Sequence, residues 1–387
     1  MKQRLPILTL VFTLGAFVST SSFAKANRYT VVGDDEKAIE KALSSVGGKK
    51  EKSYQHLKGV ATYLSQGQAK QLEEMLGENG KVIRDEFFQA IPPMEAEIQG
   101  KPSGGGGGTP AQVVPWGVSA VRAPQAWAYA RGAGAIVCVV DSGIDMDHPD
   151  LAANILIGAN YIDGTTWDDG NGHGTHVAGT IAALDNTIGV VGIAPEAKLI
   201  ASRVLDNRGN GTCGDMADGI LGCLDLRDQV DPGHLNGLVI NMSFNSNCAG
   251  WELVEAATQT ANAAGAFQAA AAGNYSFYSF IRPAVFANVH PATAVNQDLT
   301  FASFSNWGFV PGVHEGWTAP GNNILSLWKG GGTRTDSGTS MSTAHVSGVA
   351  ALMYSAQSLG VGAIDIGLPY EQQGFGLVDA LTTVLNH

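Results

Sequence analysis

The spacing of apolar and polar positions divides the chain into stretches of different rhythm. Lys2 and Arg4 make a charged start, "LPILTLVFTLGAFV" then runs almost wholly apolar, and "SSFAKA" follows with small residues. That run is too short and too early for a membrane span, and the order charged–apolar–small predicts an export signal over 1–26. Over 27–92 the rhythm alternates between the two periods of regular structure. "RYTVV" predicts a strand, "DDEKAIEKALSSVGG" a helix with an acidic start and a glycine stop, and "GVATYLS" a second strand. "GQAKQLEEMLGENG" predicts a second helix and "KVIRDEFFQAI" a closing strand, which together make a small open α+β unit. "PPMEAEIQGKPSGGGGGTPAQ" then abandons both periods. Its prolines and five consecutive glycines predict a flexible linker over 93–110, accessible to proteolytic processing.

From 111 to 387 strand-like and helix-like segments alternate. "GAIVCVVDSG" is an unbroken β-branched run, as in a strand buried on both faces. "HGTHVAGTIAAL" reads as helix, "KLIASRVL" as strand, "GDMADGILGCLDL" as helix and "GLVINMSF" as strand. "WELVEAATQTANAAG" reads as helix, "AFQAAAAGN" as strand and "MSTAHVSGVAALMYSA" as an apolar helix. Repeated β-α-β units predict an α/β fold, a mostly parallel sheet with helices on both faces and ligands at the carboxyl ends of its strands.

Charge sharpens this division. Residues 1–110 carry 14 Lys+Arg and 12 Asp+Glu, whereas residues 111–387 carry 9 and 23. A domain this acidic repels phosphates, which argues against nucleic acid as a partner and suits a soluble monomer able to hold a hard cation. The four cysteines, Cys138, Cys213, Cys223 and Cys248, contain no CxxC pair, which argues against zinc, while export permits a disulfide.

The candidate chemistry falls at the ends of these elements. Asp141 ends the strand "AIVCVV", and Asn274 ends "AAAAG". In "NGHGTHVAGT", His173 stands between two glycines at a helix start and is read as functional, and His176 as a satisfied core histidine. "GTSMSTAHVSG" holds five hydroxyls, of which Ser340 sits where the helix begins, among free N–H groups and a dipole favouring negative charge. A serine needs a base and the base needs an orienting group. Asp141, His173 and Ser340 supply them in the order Asp–His–Ser, one of the known triad orders. The order Ser–Asp–His would be met by Ser340, Asp365 and His387, but that arrangement needs G-x-S-x-G and the chain has Gly338-Thr-Ser-Met-Ser342.

"VVDSGID", "NGHGTHVAGT", "INMS", "AAAGN", "TAPG" and "GTSMSTAHVSG" resemble, in order, the signature blocks of the subtilisin-like (subtilase) serine proteases. Residues 27–92 resemble the N-terminal propeptide of that family, a chaperone and inhibitor of its own catalytic domain. The resemblance implies a secreted endopeptidase made as a zymogen. It makes Ser340 the nucleophile, His173 its base, Asp141 the orienting carboxylate, and Asn274 with the Ser340 N–H the oxyanion donors. It places substrate by strand addition between Gly209-Asn210-Gly211 and Ser243-Phe244-Asn245, with a side-chain pocket walled by 243–245 and by Ala271, Ala272 and Gly273. It also implies structural calcium, held by side chains of Gln112, Asp150 and Asn186 and by carbonyls of Leu184, Ile188 and Val190. It sets Cys213 opposite Cys248 and implies that they pair, leaving Cys138 and Cys223 as buried free thiols. Three departures from the pattern stand out: Ala344 where proline is usual, a shortened segment after "ALMYSA", and the aromatic loop "YSFYSFIRP" after Asn274. Two narrower functions compete with the endopeptidase: a protease confined to its own propeptide, and an inactive binding protein on this scaffold.

Overall fold

The computed structural model describes residues 26–90, 98–99 and 111–387. Except for Ala26, Ile98 and Gln99, the expected export signal and linker lie outside the described residues. The N-terminal unit runs β1 (Asn27–Gly33), α1 (Glu36–Ser45), β2 (Lys50–Tyr54), β3 (Gly59–Leu64), α2 (Gln66–Leu76) and β4 (Gly80–Arg84). Its four strands form an antiparallel sheet in the order β2-β3-β1-β4. Asp35 accepts the first free N–H groups of α1, and Ser65 with Gln68 closes a capping box on α2, so both helix starts are fixed locally. Val31, Leu43, Val60, Leu64 and Leu72 close a small core of the unit's own.

Sequence and structure differ here in two places. β2 is an edge strand of Lys-Glu-Lys-Ser-Tyr with most positions toward solvent, so no apolar alternation announces it. The segment "KVIRDEFFQAI" is not one strand: β4 ends at Arg84, the buried Asp85 follows, and β5 (Phe88–Gln89) leaves to pair with the larger unit.

After β6 (Ile98–Gln99), the larger unit runs α3 (Trp116–Ala120), α4 (Ala123–Ala126), β7 (Ala135–Asp141), β8 (Ile155–Asn160), α5 (His173–Ala182), β9 (Lys198–Arg203), β10 (Asn210–Gly211), α6 (Cys213–Val230), β11 (Gly237–Met242), α7 (Trp251–Ala263) and β12 (Phe267–Ala271). It continues with β13 (His290–Val295), β14 (Trp317–Pro320), β15 (Ile324–Trp328), β16 (Gly332–Asp336), α8 (Thr339–Ala356), β17 (Gly362–Ile364), α9 (Tyr370–Gln373), β18 (Leu377–Asp379) and α10 (Ala380–Val384). Nine strands form one sheet in the order β17-β18-β14-β13-β12-β11-β7-β9-β8, parallel throughout except for the edge pair β17–β18.

Alternation along β7 explains why it is fully buried. Val137 and Val139 join the core shared with α5 and α8, whereas Ile136, Cys138 and Val140 join the core under α6 and α7. The sheet is thus covered on both faces, as an apolar parallel strand requires. From β7 the chain goes first to one side, to β8 and β9, and then to the other, to β11. That reversal opens a crevice at the carboxyl end of β7, where Asp141 stands. Among the described residues no helix is long and apolar enough to cross a membrane.

Candidate active site

Asp141 ends β7 fully buried, and its Oδ1 accepts the Ser142 N–H at 2.7 Å. His173 opens α5 and brings Nδ1 to 2.9 and 3.0 Å from the two Asp141 oxygens. The two elements can meet only because position 174 is glycine. A Cβ there would stand 2.0 Å from the Gly143 carbonyl oxygen and 3.2 Å from the Asp141 Cβ. Behind the pair lies a group the sequence reading missed, Asp169. Its Oδ1 accepts Ser142 Oγ–H and the N–H groups of Asn171 and Gly172, and its Oδ2 accepts the N–H and Oγ–H of Thr175. One buried carboxylate therefore ties the turn after Asp141 to the first turn of the histidine helix. The acid four residues before His173 was its only trace in the sequence.

Burial by itself would lower the His173 imidazole. The charge and hydrogen bond of Asp141, with Asp336 and Asp169 beyond, outweigh that and raise it above 6.5. Its Nε2 is buried without a hydrogen-bond partner. His176 and His345 are different. His176 Nε2 meets the Ile324 and Arg334 carbonyls at 3.0 and 3.1 Å, and burial holds it down to about 3. His345 Nδ1 lies 2.8 Å from the Met341 carbonyl one turn back, and burial holds it at about 4.

Ser340 is the second residue of α8, and its Oγ donates to the Ser243 carbonyl at 2.9 Å, while Ser243 Oγ donates to the Ser340 carbonyl at 2.9 Å. The Ser340 hydroxyl is thus turned toward the β11 end and forms no bond to His173. Asn274 follows β12. Its Oδ1 accepts both the N–H and the Oγ–H of Thr339 at 2.9 Å, which leaves Nδ2 as its free donor. A Cβ placed on Gly338 would lie 3.3 Å from that Nδ2 and 3.7 Å from the Ser340 nitrogen, so both donors border one small space. Thr339, one of the five hydroxyls of that stretch and given no role from the sequence, also accepts the Gly273 N–H at 3.2 Å and so fixes the amide's direction.

The two expected edge segments flank this site, and an extended peptide already lies on them. Phe88 and Gln89 of β5 pair antiparallel with Gly211 and Asn210 of β10. The Ala90 N–H donates to the Gly209 carbonyl at 2.9 Å, and the Asn245 N–H donates to the Ala90 carbonyl at 3.2 Å. Ser243, Phe244, Ala272 and Gly273 are buried along the adjoining walls.

At the expected cation site, the Gln112 amide nitrogen donates to the Leu184 carbonyl at 2.6 Å, the Val190 carbonyl at 3.2 Å and Asn186 Oδ1 at 3.4 Å. Three of the named oxygens therefore converge on one point. Asp150 accepts Asn186 Nδ2–H and the Val190 N–H, and burial pushes its carboxyl up to about 7. Ile188 turns its N–H onto Asn186 Oδ1. An oxygen-lined point beside a buried, uncompensated carboxylate fits a hard cation. Among the described residues no three His, Cys, Asp or Glu side chains gather as a metal site, and this set includes a single carboxylate.

Cys213 and Cys248 face each other with Cα atoms 5.8 Å apart. The reading of Cys138 and Cys223 as free thiols is corrected: they stand in bonding contact, with Cα atoms 5.9 Å apart. Both residues had been assigned to the core, and both are there. Cys138 points from β7 to the face that α6 covers, and α6 presents Cys223 to that same face.

A buried Asp–His pair, a serine at a helix start, an adjacent amide and a strand lying across two edge segments thus border one crevice. Residues 132–361 match the subtilase family model. The chain is 43% identical over 256 residues to a thermostable alkaline protease of Halalkalibacterium halodurans, covering 64% of each protein. It is 42% identical over 246 residues to subtilisin Savinase of Lederbergia lenta, covering 63% of this chain and 85% of that one. With subtilisin E of Bacillus subtilis the likeness is 34% over 366 residues, 90% of this chain and 86% of that one. The match spans just under two thirds of the length of the alkaline protease and of an M-protease from Shouchella clausii, 64% and 60%. Matched over most of its larger unit, and over nearly its whole length by one relative, the chain belongs to the subtilase family.

Proposed function

We propose that the chain is a secreted serine endopeptidase, made as a precursor whose N-terminal unit (27–92) inhibits it and is removed by its own cleavage. The observation that carries this reading is the Phe88–Ala90 segment lying on both cleft edges, bonded to Gly209, Gly211 and Asn245 as a substrate strand would be. The chain leads from there through the linker to the mature unit, the stretch a self-processing enzyme must cut.

In the mechanism, Ser340 Oγ turns from the Ser243 carbonyl to His173 Nε2, the one polar atom of the pair without a partner. Oγ attacks the scissile carbonyl as Nε2 takes its proton, and the imidazolium so formed stays bonded to Asp141. Asn274 Nδ2 and the Ser340 N–H receive the charge that develops on the carbonyl oxygen. The same Nε2 proton then goes to the leaving amine, and a water repeats the sequence on the acyl-enzyme. Calcium would sit among Gln112, Asp150, Leu184, Asn186, Ile188 and Val190, where it would offset the Asp150 charge and join the 184–190 loop to residue 112. Cys213–Cys248 and Cys138–Cys223 would close as disulfides in the oxidising medium that export implies.

The test is expression of the precursor beside Ser340→Ala, following chain length and hydrolysis of casein. Shortening and hydrolysis by the wild type alone are expected. A folded wild type that neither shortens nor digests casein overturns the reading, and shortening without digestion of casein restricts the enzyme to its own propeptide.

A further inference from the structure

Resting on the endopeptidase reading, we infer that the pocket beyond the side-chain walls of the cleft selects an anionic side chain at the residue before the cut, through Arg282. A pocket of about 340 Å³ is lined by Asn247, Tyr275, Phe277, Phe280, Ile281 and Arg282, among others. The wall residues 243–245 and 271–273 do not themselves line it; the segments that follow them do. Asn247 lies two residues past Asn245, and Tyr275 follows Asn274. The Ile281 N–H donates to the Ala272 carbonyl at 3.1 Å, and the Ser246 N–H donates to the Arg282 carbonyl at 2.7 Å. The aromatic loop after Asn274 therefore closes the far end of the pocket, with Arg282 in its lining.

Arg282 is a cation without an anion. Its guanidinium carbon lies 4.5 Å from the Trp251 ring centroid, and its Nε is buried with no acceptor. Among the described residues no carboxylate reaches it. By contrast Arg122 pairs with Asp379, Arg131 with Asp185 and Glu196, and Arg227 with Asp228. Arg203, which also lacks a carboxylate, is satisfied at its terminal nitrogens by the Thr166 and Asp168 carbonyls and Asn207 Oδ1, whereas the Arg282 Nε has no acceptor at all. The guanidinium lies over the Trp251 ring and its buried Nε has no acceptor within the chain, so a carboxylate entering the pocket would meet an unpaired cationic donor of the kind that takes carboxylates in bidentate geometry. The polar lining, Asn247 and Ser279, adds donors and no competing acid. Ile281 sets the width. A Cβ on Gly273 would come within 3.1 Å of the Ile281 side chain, so the passage past that wall suits a slim side chain better than an aromatic one. Glutamate meets both demands.

The test uses the mature enzyme and peptide anilides that differ only at the residue before the cut, bearing Glu, Gln, Leu or Phe. Glu and Gln share shape and differ in charge, so their kcat/KM ratio reads the arginine alone. We expect Glu to exceed Gln at least tenfold at low salt, with the ratio shrinking as salt rises. Arg282→Gln should bring the ratio to about one, and Arg282→Lys, which keeps the charge but loses the planar, bidentate edge, should retain part of it. A wild-type ratio near one, or the same ratio in Arg282→Gln, overturns the inference and makes Arg282 a structural partner of Trp251. If Leu peptides are cut and Glu peptides are not favoured, only this inference falls. If no peptide is cut, the endopeptidase reading falls and takes this inference with it.

Discussion

Reducing the two cysteine pairs of the Ser340→Ala precursor should destabilise it by amounts that their loop lengths set. Cys138 and Cys223 are separated by 85 residues and Cys213 and Cys248 by 35. With Cα distances of 5.9 and 5.8 Å, both pairs fall within the ordinary span of a disulfide, so no backbone movement is needed to close them. In the chain-entropy model, loops of roughly 86 and 36 residues correspond to about 4.6 and about 3.8 kcal/mol. The longer loop is therefore worth about 0.8 kcal/mol more, although the pair it joins lies deeper in the core. Guanidinium unfolding followed by tryptophan fluorescence, with and without reductant, reads the covalent constraint without altering a side chain. Cys138→Ala with Cys223→Ala, and Cys213→Ala with Cys248→Ala, then assign the loss to each pair. The inactive Ser340→Ala background prevents self-digestion of the unfolded chain. Four titratable thiols in the unreduced, denatured protein would refute the reasoning, as would a midpoint that reduction leaves in place.

Three further outcomes follow from the site. Asn274→Ala should lower kcat by about 100- to 1,000-fold, the usual loss when one oxyanion donor is removed. Asn274→Asp keeps the acceptor for Thr339, so its melting should stay nearer wild type while turnover is as poor; a kcat within tenfold of wild type for either variant counts against the oxyanion role. His173 must be neutral to take a proton and its pKa is raised, so kcat/KM should fall as pH drops through a value above 6.5. Asp336→Asn removes one of the charges that raise it and should move that limb to lower pH, and a wild-type limb below 6.5 sinks the argument. Chelation should lower the melting midpoint, by the equivalent of about 2.7 kcal/mol if calcium was present at a hundredfold excess over its dissociation constant. Asp150→Ala should be insensitive to chelator, and an equally insensitive wild type would count against the site.

What could be read from the sequence followed a physical divide. Asp141, His173, Ser340 and Asn274 sit at the ends of elements whose periods are strong, so strand and helix boundaries made them candidates, and the Asp–His–Ser order with the family's motif blocks gave them roles. Asp169 and Thr339 act through hydrogen bonds to groups distant in the chain or in neighbouring turns, and nothing in their local spacing marks such bonds. The Cys138–Cys223 contact depends on how α6 registers across β7, a property of packing between elements and not of either one. β2 escaped because a charged edge strand has no buried face to pattern. The sequence reading also treated "KVIRDEFFQAI" as regular to its end, whereas its last residues extend outward to meet another unit.

The contact between the two units has a consequence for when they part. The start of α6 is covered by the N-terminal unit. Asp85 accepts the Gly214 N–H at 3.2 Å, Lys52 bonds Asp215, and Asp218 accepts the N–H groups of Gln55, His56 and Leu57. Burial raises the Asp215 carboxyl to about 6 and lifts that of Asp218 as well, against the attraction of Lys52. Freed of the cover, both would titrate near the ordinary value of about 4. The joined state therefore holds more protons, and its grip weakens as pH rises through the raised range of these two carboxyls. The hold between the two units is thus written in protons. An acidic medium would keep the halves of a cut precursor together and a neutral one would loosen them, and binding of the separate N-terminal unit to the Ser340→Ala larger unit should be tighter at pH 4.5 than at pH 7.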